Sequence, residues 1–410
     1  MSATRRVAAA AVLAVGCSSA GPDTARWVYS QPEPVGDGWA TVSLADAGLD
    51  EARLTLMMEL LRQNPGHLVH GIVIAVDGAL AFEEYFPGRD HPTFGEVPVQ
   101  FTRDRMHCLS SVTKSVTATL LGIAIDRGFI SSVDARVFDF FPEYADLDVG
   151  RRSGITLRHL VTMSAGLQWD ESIYPIGDSR SDLTRWFSFE GDPLRFVLDR
   201  PMVADPGTAF NYNGGLTTVL GEVIRRASGL RLDEFSDRYL FAPLGITDYL
   251  WYMVRPDFVY ASGDISLRPR DAAKLGQLYL QDGVWNGERL LSSEWIRAAA
   301  ALSFATSEWM GHTGYGYGWW RESPAYGADA FAAAGWGDQA IVVMPEHGMV
   351  AVFTGGSYWK NALMSSHEMM LGYVLPRTPR GQSRNAGAGL RPVPPSGSRG
   401  GRRNRARRPG

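Results

Sequence analysis

Lysine and cysteine are both scarce in this chain of 410 residues. It has three lysines against 37 arginines, and two cysteines, which exclude a framework of several disulfides. Hydrophobic residues make up 45% and charged residues 20%, as in a soluble globular protein with a sizeable core. Because lysine is so rare here, each lysine is worth locating.

The N-terminus, MSATRRVAAAAVLAVGCSSAG, places Arg5 and Arg6 before an apolar run of about ten residues. That run is too short to span a bilayer and has the layout of a secretory signal. We therefore predict a signal peptide over 1–16, a linker over 17–44 and export to the periplasm or cell envelope. Cys17 follows AVG as in a lipoprotein cleavage site, so a lipid anchor at Cys17 and simple cleavage near SSA both remain open.

The C-terminus has a different composition from the rest of the chain. Residues 377–410 contain ten arginines, no acidic residue and many Gly, Pro, Ser and Asn, which predicts a disordered tail over 376–410. Since the whole chain has a net charge of −4, the remainder is clearly acidic. For an exported protein we expect no nucleic-acid partner for this tail.

The region between these ends predicts a mixed fold over 45–375. GIVIAVDGALAFEEYF contains two strand-like runs joined by Asp77-Gly78, a strong hairpin signal. Helices are predicted over 113–127 and in PRDAAKLGQLYLQ, strands in YGYGWW and AIVVMPEHGMVAVFTGG, and a closing amphipathic helix in SYWKNALMSSHEMMLGYVL. Strands at both ends with helices between them indicate an α+β fold: an antiparallel sheet flanked by helices, with an inserted, mostly helical subdomain.

The segment CLSSVTKSVTATLLGIAIDRG places Ser111 three residues before Lys114. On a helix these side chains share one face, so the lysine amine can reach the serine hydroxyl. Burial lowers the pKa of a lysine and makes the neutral amine, a base, accessible. A second S-x-x-K, Ser357 to Lys360, has two aromatics inside it, and we interpret that lysine as a surface residue. Cys108 is interpreted as a small buried hydrophobe.

The ordered set SVTKS, HLVTMSAGL, PGTAFNYNGG, YGYGWW and GWGDQAIVVMPE resembles the penicillin-recognising serine hydrolases. Within them it is similar to the branch of class C β-lactamases, esterases and 6-aminohexanoate-dimer hydrolases. The resemblance implies a β-lactamase/transpeptidase-like fold, with Ser111 as nucleophile, Lys114 as its base and Tyr212 as proton carrier. A phenol beside a lysine cation would have its anion favoured, which suits acid–base work.

This chain departs from the family pattern at two places. The tyrosine motif usually ends in Asn, where this chain has Gly214, and Asn213, one place early, is a substrate-binding candidate. The Lys-Thr-Gly box is absent; AAGWGDQ aligns Gly335 with its glycine and leaves Ala333 and Ala334 for Lys and Thr. The HTG at 312–314 imitates the box but comes too early. The resemblance implies an oxyanion hole from the backbone N–H groups of Ser111 and Trp336, with Gly335 and Trp336 near the substrate.

Other chemistries find little support in the sequence. There is no G-x-S-x-G elbow, P-loop or dinucleotide fingerprint, and His67 and His70 are interpreted as surface or structural residues. We expect no metal and no cofactor. The predicted function is an exported serine hydrolase that cleaves a small ester or linear amide through an acyl-enzyme. The alternatives are a β-lactamase or D-amino-acid peptidase, and a binding or regulatory protein whose site has decayed.

Overall fold

A computed structural model describes residues 26–375, without 172, 175, 176, 310 and 328 and without the side chains of 307–309. The predicted signal peptide, Cys17 and the tail over 376–410 lie outside the described residues and stay predictions. Within the described part of the chain, no helix combines the length and the apolar character needed to cross a membrane.

The described chain alternates short helices with strands. The helices are α1 (Leu44–Ala47), α2 (Glu51–Gln63), α3 (Val112–Asp126), α4 (Leu157–Val161), α5 (Asp182–Phe187), α6 (Pro193–Leu198), α7 (Gly214–Ser228), α8 (Leu232–Ser236), α9 (Pro269–Leu280), α10 (Ser293–Ala300) and α11 (Ser366–Met369). The strands are β1 (Ala40–Thr41), β2 (Val69–Val76), β3 (Ala79–Tyr85), β4 (Pro87–Arg89), β5 (Pro98–Gln100), β6 (His107–Cys108), β7 (Tyr249–Leu250), β8 (Met253–Arg255), β9 (Phe258–Val259), β10 (Ser266–Leu267), β11 (Val284–Trp285), β12 (Glu288–Arg289), β13 (Phe304–Trp309), β14 (His312–Tyr315), β15 (Trp320–Glu322), β16 (Phe331–Gly335), β17 (Gln339–Met344) and β18 (Met349–Gly355).

The main sheet joins strands from both ends of the domain. Its nine strands run in the order β1-β3-β2-β18-β17-β16-β15-β14-β13, and every neighbouring pair is antiparallel except β1 with β3. The hairpin of β2 and β3 turns at Asp77 (φ +49°) and Gly78 (φ +82°), as the Asp-Gly pair predicted. The predicted antiparallel sheet flanked by helices is confirmed.

Helices cover both faces of the sheet. Along β2, Val73 and Ala75 belong to the core that contains α3, α7 and α9, whereas Ile72 and Ile74 belong to the core under α2 and α11. This alternation follows from side chains pointing to opposite faces along a strand. Because β2 is buried on both faces, its sequence is nearly all apolar instead of alternating.

A mostly helical region lies between α3 and β10 in the sequence and contains α4 to α8. Helix α3 is buried through almost its whole length, and it packs against α7 of this region and against β16 of the sheet. An α3 substitution would therefore disturb both layers. A helix in that position must be apolar around its circumference, which explains the sequence VTATLLGIA.

Residues 26–44 belong to the domain instead of forming part of a separate linker. Trp27 and Trp39 are buried, and β1 adds a short strand beside β3. The indole Nε1 of Trp27 donates to Glu84 Oε1 at 2.9 Å, which fixes this segment on the sheet. The two tryptophans carry the apolar area that a free linker would leave in water.

Two predicted elements have different bounds in the structure. YGYGWW is not one strand: it ends β14, turns at Gly318 (φ +75°) and begins β15. The closing helix begins at Ser366 instead of near 357, because Ser365 Oγ accepts from Glu368 N while Glu368 Oε2 accepts from Ser365 N. This capping box sets the helix start.

Candidate active site

The serine of the S-x-x-K motif stands directly before α3. The preceding residue, Ser110, has φ +46°, a left-handed conformation that is unfavourable for a residue with a side chain. Its carbonyl accepts from Thr113 Oγ1 at 2.5 Å, and its Oγ lies 3.1 Å from His91 Nε2. These bonds hold the sharp turn that brings Ser111 to the start of the helix, close to backbone N–H groups and the positive end of the dipole.

The turn is braced by side chains that together resemble a metal site. His91, Cys108 and Asp264 bring one ligand-type atom each to within 4.8 Å of one another. However, Thr93 N donates to His91 Nδ1 at 3.1 Å, and burial lowers the pKa of His91, so the neutral ring carries its proton on Nε2. That proton faces Ser110 and Asp264, so the cluster fits an internal hydrogen-bond network better than an ion.

Ser111 Oγ is held by the lysine of the motif. It makes no capping bond to α3 and instead accepts from Lys114 Nζ at 3.0 Å. Lys114 is 3% exposed, and its Nζ also donates to Ser262 O at 2.9 Å. Burial lowers the pKa of Lys114, opposed by the charges of Glu171 and Asp264. The amine is therefore within reach of the serine proton and easier to deprotonate than an exposed lysine.

Tyr212 lies against the same lysine. Lys114 Nζ is 4.9 Å from the centroid of the Tyr212 ring, and the ring stacks on Trp320 with centroids 5.5 Å apart. Burial raises the pKa of Tyr212, the charge of Glu171 raises it further, and a hydrogen bond with Ser111 lowers it. The expectation that the tyrosine anion is favoured is therefore wrong: Tyr212 is a neutral phenol that can donate a proton.

A residue that the sequence analysis missed completes this cluster. Glu171 lies on the loop after α4, with a side chain 6% exposed and Oε1 at 3.8 Å from Lys114 Nζ. Its Oε2 accepts from Trp169 Nε1 at 2.6 Å and from Gly214 N at 2.7 Å. The one sequence feature that pointed to such a residue was Gly214, because the missing side chain leaves space for a group from elsewhere in the chain.

The edge beside the nucleophile is formed by the end of β16. A Cβ atom at Gly335 would lie 2.4 Å from Leu109 O and 3.0 Å from Ser111 N, so only glycine allows this approach. The HTG at 312–314 lies on β14, separated from β16 by β15. AAG is thus the segment that contacts the nucleophile, and the oxyanion-hole role of the Ser111 and Trp336 N–H groups stays a prediction.

Aromatic side chains surround this edge. The Trp336 ring lies 5.1 Å from that of Tyr358 and 4.7 Å from that of Trp359, centroid to centroid, and these three residues form what we call the aromatic rim. Trp359 is exposed, whereas Trp336 is half-buried. The rim places apolar surface beside Gly335, the residue that approaches Ser111.

Asn213 is placed differently from a typical substrate ligand. It is the N-cap of α7, where its Oδ1 accepts from Leu216 N at 3.3 Å, and it is almost completely buried. Among the described residues its Nδ2 has no hydrogen-bond partner. Its role in substrate binding stays a prediction, while its capping role is direct.

The remaining candidates lie away from this centre or act locally. His67 Nδ1 accepts from Val69 N at 2.9 Å, and His70 Nδ1 lies 2.8 Å from His107 Nε2, so both histidines of the H-x-x-H are engaged inside the fold. Lys360 of the second S-x-x-K is exposed, and Cys108 is buried. His67 and His70 thus make internal contacts, which is the structural one of their two interpretations, while Lys360 lies at the surface and Cys108 is buried, as predicted.

The fold and this constellation define a known family. The family model described as Beta-lactamase matches residues 60–355, and the chain belongs to that family. This is the fold class that the ordered motifs implied.

Its relatives include hydrolases of several kinds. The chain is 29% identical over 208 residues to the 6-aminohexanoate-dimer hydrolase of Paenarthrobacter ureafaciens, covering 49% of this chain and 52% of that protein. It is 28% identical over 233 residues to the lovastatin esterase of Penicillium rubens, covering 52% and 57% respectively. The chain thus spans about half the length of the curated relatives it matches.

Solved structures agree on the fold. A penicillin-binding protein homologue from Caulobacter crescentus superposes with a TM-score of 0.58 at 19% identity, covering 74% of this chain and 91% of that chain.

Proposed function

We propose that this protein is an exported serine hydrolase that cleaves a small ester or linear amide through an acyl-enzyme. The observation that carries the proposal is the hydrogen bond from Lys114 Nζ to Ser111 Oγ at 3.0 Å, in a pocket where burial lowers the pKa of the lysine. A nucleophile within hydrogen-bond reach of its base is the arrangement that covalent catalysis requires. Relatives named as a 6-aminohexanoate-dimer hydrolase and a lovastatin esterase support the substrate class.

The positions of Ser111, Lys114 and Tyr212 support the following course for the proposed reaction. Lys114 takes the hydroxyl proton as Ser111 Oγ bonds to the carbonyl carbon of the substrate. The tetrahedral intermediate then collapses, and the leaving alcohol or amine receives a proton through Tyr212, which the Lys114 ammonium restores. Water attacks the acyl-enzyme in the second half, its proton passes to the same groups, and Ser111 Oγ leaves with a proton.

A fluorophosphonate probe tests this function without knowledge of the substrate. We expect stoichiometric labelling at Ser111, and complete loss of labelling and of ester turnover in Ser111→Ala with the fold retained by circular dichroism. Ser357→Ala is the matched control, because Ser357 has the same spacing to a lysine, and it should label normally. Turnover by folded Ser111→Ala would refute the assignment. An unlabelled wild-type protein would favour the decayed binding protein instead.

The groups missing at the site support the proposed preference for esters and linear amides over β-lactams. Gly214 replaces the amide-holding Asn, and Ala333 and Ala334 replace the Lys and Thr that would bind a β-lactam carboxylate. A hydrogen bond to a charged group contributes about 1.5 to 3 kcal/mol, so losing one lowers kcat/KM by roughly tenfold to a hundredfold.

The comparison is kcat/KM for p-nitrophenyl butyrate, a 6-aminohexanoate dimer and nitrocefin on one preparation. We expect nitrocefin to be the poorest of the three. A clear lead for nitrocefin would make the β-lactamase alternative the better one, and release of a D-amino acid from peptides would favour the peptidase.

Export is proposed from the sequence alone, on Arg5, Arg6 and the apolar run that follows them. The test is fractionation of a bacterial host that expresses the full chain, with Cys17→Ser as the matched variant. Loss of membrane association in Cys17→Ser would support lipid attachment, while release of both forms into the soluble envelope fraction would support simple cleavage. Retention of the uncleaved chain in the cytoplasm would contradict export.

A further inference from the structure

Glu171 reaches the catalytic lysine from a part of the chain that none of the family motifs includes. It lies on the loop after α4, whereas Lys114 lies in the first turn of α3 and Gly214 begins α7. Two N–H groups, from Trp169 and Gly214, donate to its Oε2 and leave Oε1 facing Lys114 Nζ at 3.8 Å. A carboxylate held by two donors has a fixed position relative to the lysine.

The glycine at 214 and the glutamate at 171 use the same space. A Cβ atom at Gly214 would lie 3.0 Å from Glu171 Oε2 and 3.3 Å from both Glu171 Oε1 and Ser262 Oγ. Gly214 does not have a positive φ, so its backbone conformation does not require glycine. A side chain at 214 would press on the Glu171 carboxylate, so the glycine leaves space for it: in this chain a carboxylate from another loop stands where the motif's asparagine side chain would start.

Among the titratable groups around Lys114, Glu171 provides the main negative charge that acts on the amine. Tyr212 is half-buried, Tyr260 and Tyr315 are buried nearby, and desolvation raises the pKa of each of them, so they are neutral. The opposing charges that act on the lysine come from Glu171 and, more weakly, from Asp264. Without such charges, desolvation alone would make the amine a weak base.

We propose that Glu171 is a positioning residue of the catalytic centre, whose carboxylate stabilises the ammonium that forms when Lys114 accepts the proton of Ser111. The inference rests on the proposed function of Ser111 as the nucleophile. In this step the proton moves from Ser111 Oγ to Lys114 Nζ, the Oγ–carbon bond forms, and the carbonyl π electrons move to the oxyanion. The new positive charge on Nζ then faces the negative charge of Glu171.

This arrangement extends the logic of a nucleophile, a base and a third group that supports the base. The nucleophile and the base come from one helical turn, but the third group comes from a loop that packs onto it. Removing the carboxylate should weaken the base while leaving Ser111, Lys114 and Tyr212 in place. That outcome differs from the effect of losing any of those three.

The test compares the wild type with Glu171→Gln, measuring the pH dependence of fluorophosphonate labelling and of kcat/KM for p-nitrophenyl butyrate. Glu171 favours the protonated lysine, so its removal lowers the pKa of Lys114, and the neutral amine persists to lower pH. The acidic limb of both profiles should therefore move to lower pH by about 1 to 3 units. The plateau should fall roughly tenfold, because the weaker base is a poorer proton acceptor.

Three variants make the result interpretable. Glu171→Asp keeps the charge and should retain the position of the acidic limb even if the rate falls. Asp264→Asn removes the weaker of the two charges and should move the limb in the same direction by less. Glu190→Gln removes an exposed glutamate and should change nothing.

A rate loss in Glu171→Gln at every pH, with the limb in its wild-type position, would overturn the proposal and leave Glu171 a structural residue. This failure is distinct from failure of the proposed function, in which wild-type Ser111 would not be labelled at all. If Glu171→Gln does not fold, the comparison of Asp264→Asn and Glu171→Asp with the wild type decides: an unmoved limb in Asp264→Asn would then count against charge control of Lys114.

Discussion

Two of the three lysines are buried, in different surroundings. Lys274, in α9, is 0% exposed, and its Nζ bonds to Asp271 Oδ1 at 2.8 Å and donates to Gly245 O at 3.2 Å. Lys114, in α3, bonds to a hydroxyl and a carbonyl, and its carboxylate, Glu171, is 3.8 Å away. The first lysine has a carboxylate in contact within its own helix, while the second has one at a distance and a serine in contact.

The difference lies in the group that contacts the amine. At Lys274 the contacting group is a carboxylate, and the two side chains form a buried ion pair inside α9, which is a structural arrangement. A hydroxyl in contact can give up its proton, so Lys114 can change its state during a reaction. Burial is common to both lysines, and the identity of the nearest partner decides the role.

Lys114→Arg should have the largest effect of the changes that test this comparison. A guanidinium stays protonated and cannot accept the serine proton, so we expect kcat/KM for p-nitrophenyl butyrate to fall by about 10² to 10⁴-fold, nearly as far as in Lys114→Ala. The fold should be checked by circular dichroism. If arginine restored most of the rate, Lys114 would act as a fixed charge like Lys274.

Tyr212→Phe should reduce kcat by about 10²-fold for substrates with a poor leaving group. Because burial raises the pKa of Tyr212, the phenol keeps its proton at neutral pH. In the proposed mechanism it donates that proton, and a p-nitrophenolate leaving group needs little donation. The loss should therefore be larger for an alkyl ester or an amide than for p-nitrophenyl butyrate. If kcat fell only slightly and equally for both substrates, Tyr212 would have a packing role against Trp320 and no role in proton transfer.

Lys274→Met should affect stability and leave catalysis unchanged. It strands Asp271 in the core, where burial already raises the pKa of that carboxyl, and breaking a buried ion pair costs about 3 to 5 kcal/mol. The measurement is urea unfolding, with kcat determined on the folded fraction. The double variant Lys274→Met with Asp271→Leu should recover much of the loss.

The exposed Lys360 provides the control for this prediction. Lys360→Met should change the free energy of unfolding by less than about 0.5 kcal/mol. A lower kcat for folded Lys274→Met would show that the two buried lysines are coupled and would contradict a purely structural role for Lys274.

The sequence was informative wherever the relevant contact is local. Ser111 and Lys114 are three residues apart, so helical periodicity alone brings them together, and Asp77-Gly78 encodes its own turn. Ser365 and Glu368 also encode the start of the last helix, but that signal lay behind an apolar pattern that suggested an earlier start. Helix boundaries were therefore predicted correctly only where the hydrophobic pattern and the capping residues indicated the same starting residue.

Glu171 could not be predicted in the same way. It is 43 residues from Gly214 in the chain, and its contact with Gly214 N arises from the packing of a loop on α7. The raised pKa of Tyr212 likewise depends on burial and on Glu171, neither of which appears in the tyrosine motif itself. The residues of this centre can be found in the sequence, but their pKa values depend on tertiary packing.

Gly335 has a consequence for altering the specificity of this protein. A side chain there would meet Leu109 O at 2.4 Å and would push β16 away from the nucleophile. A mutant library that varies this position would therefore return inactive proteins, whatever side chain it introduces. Variation is better placed at Trp359 of the aromatic rim, an exposed residue whose shape can change without displacing the strand.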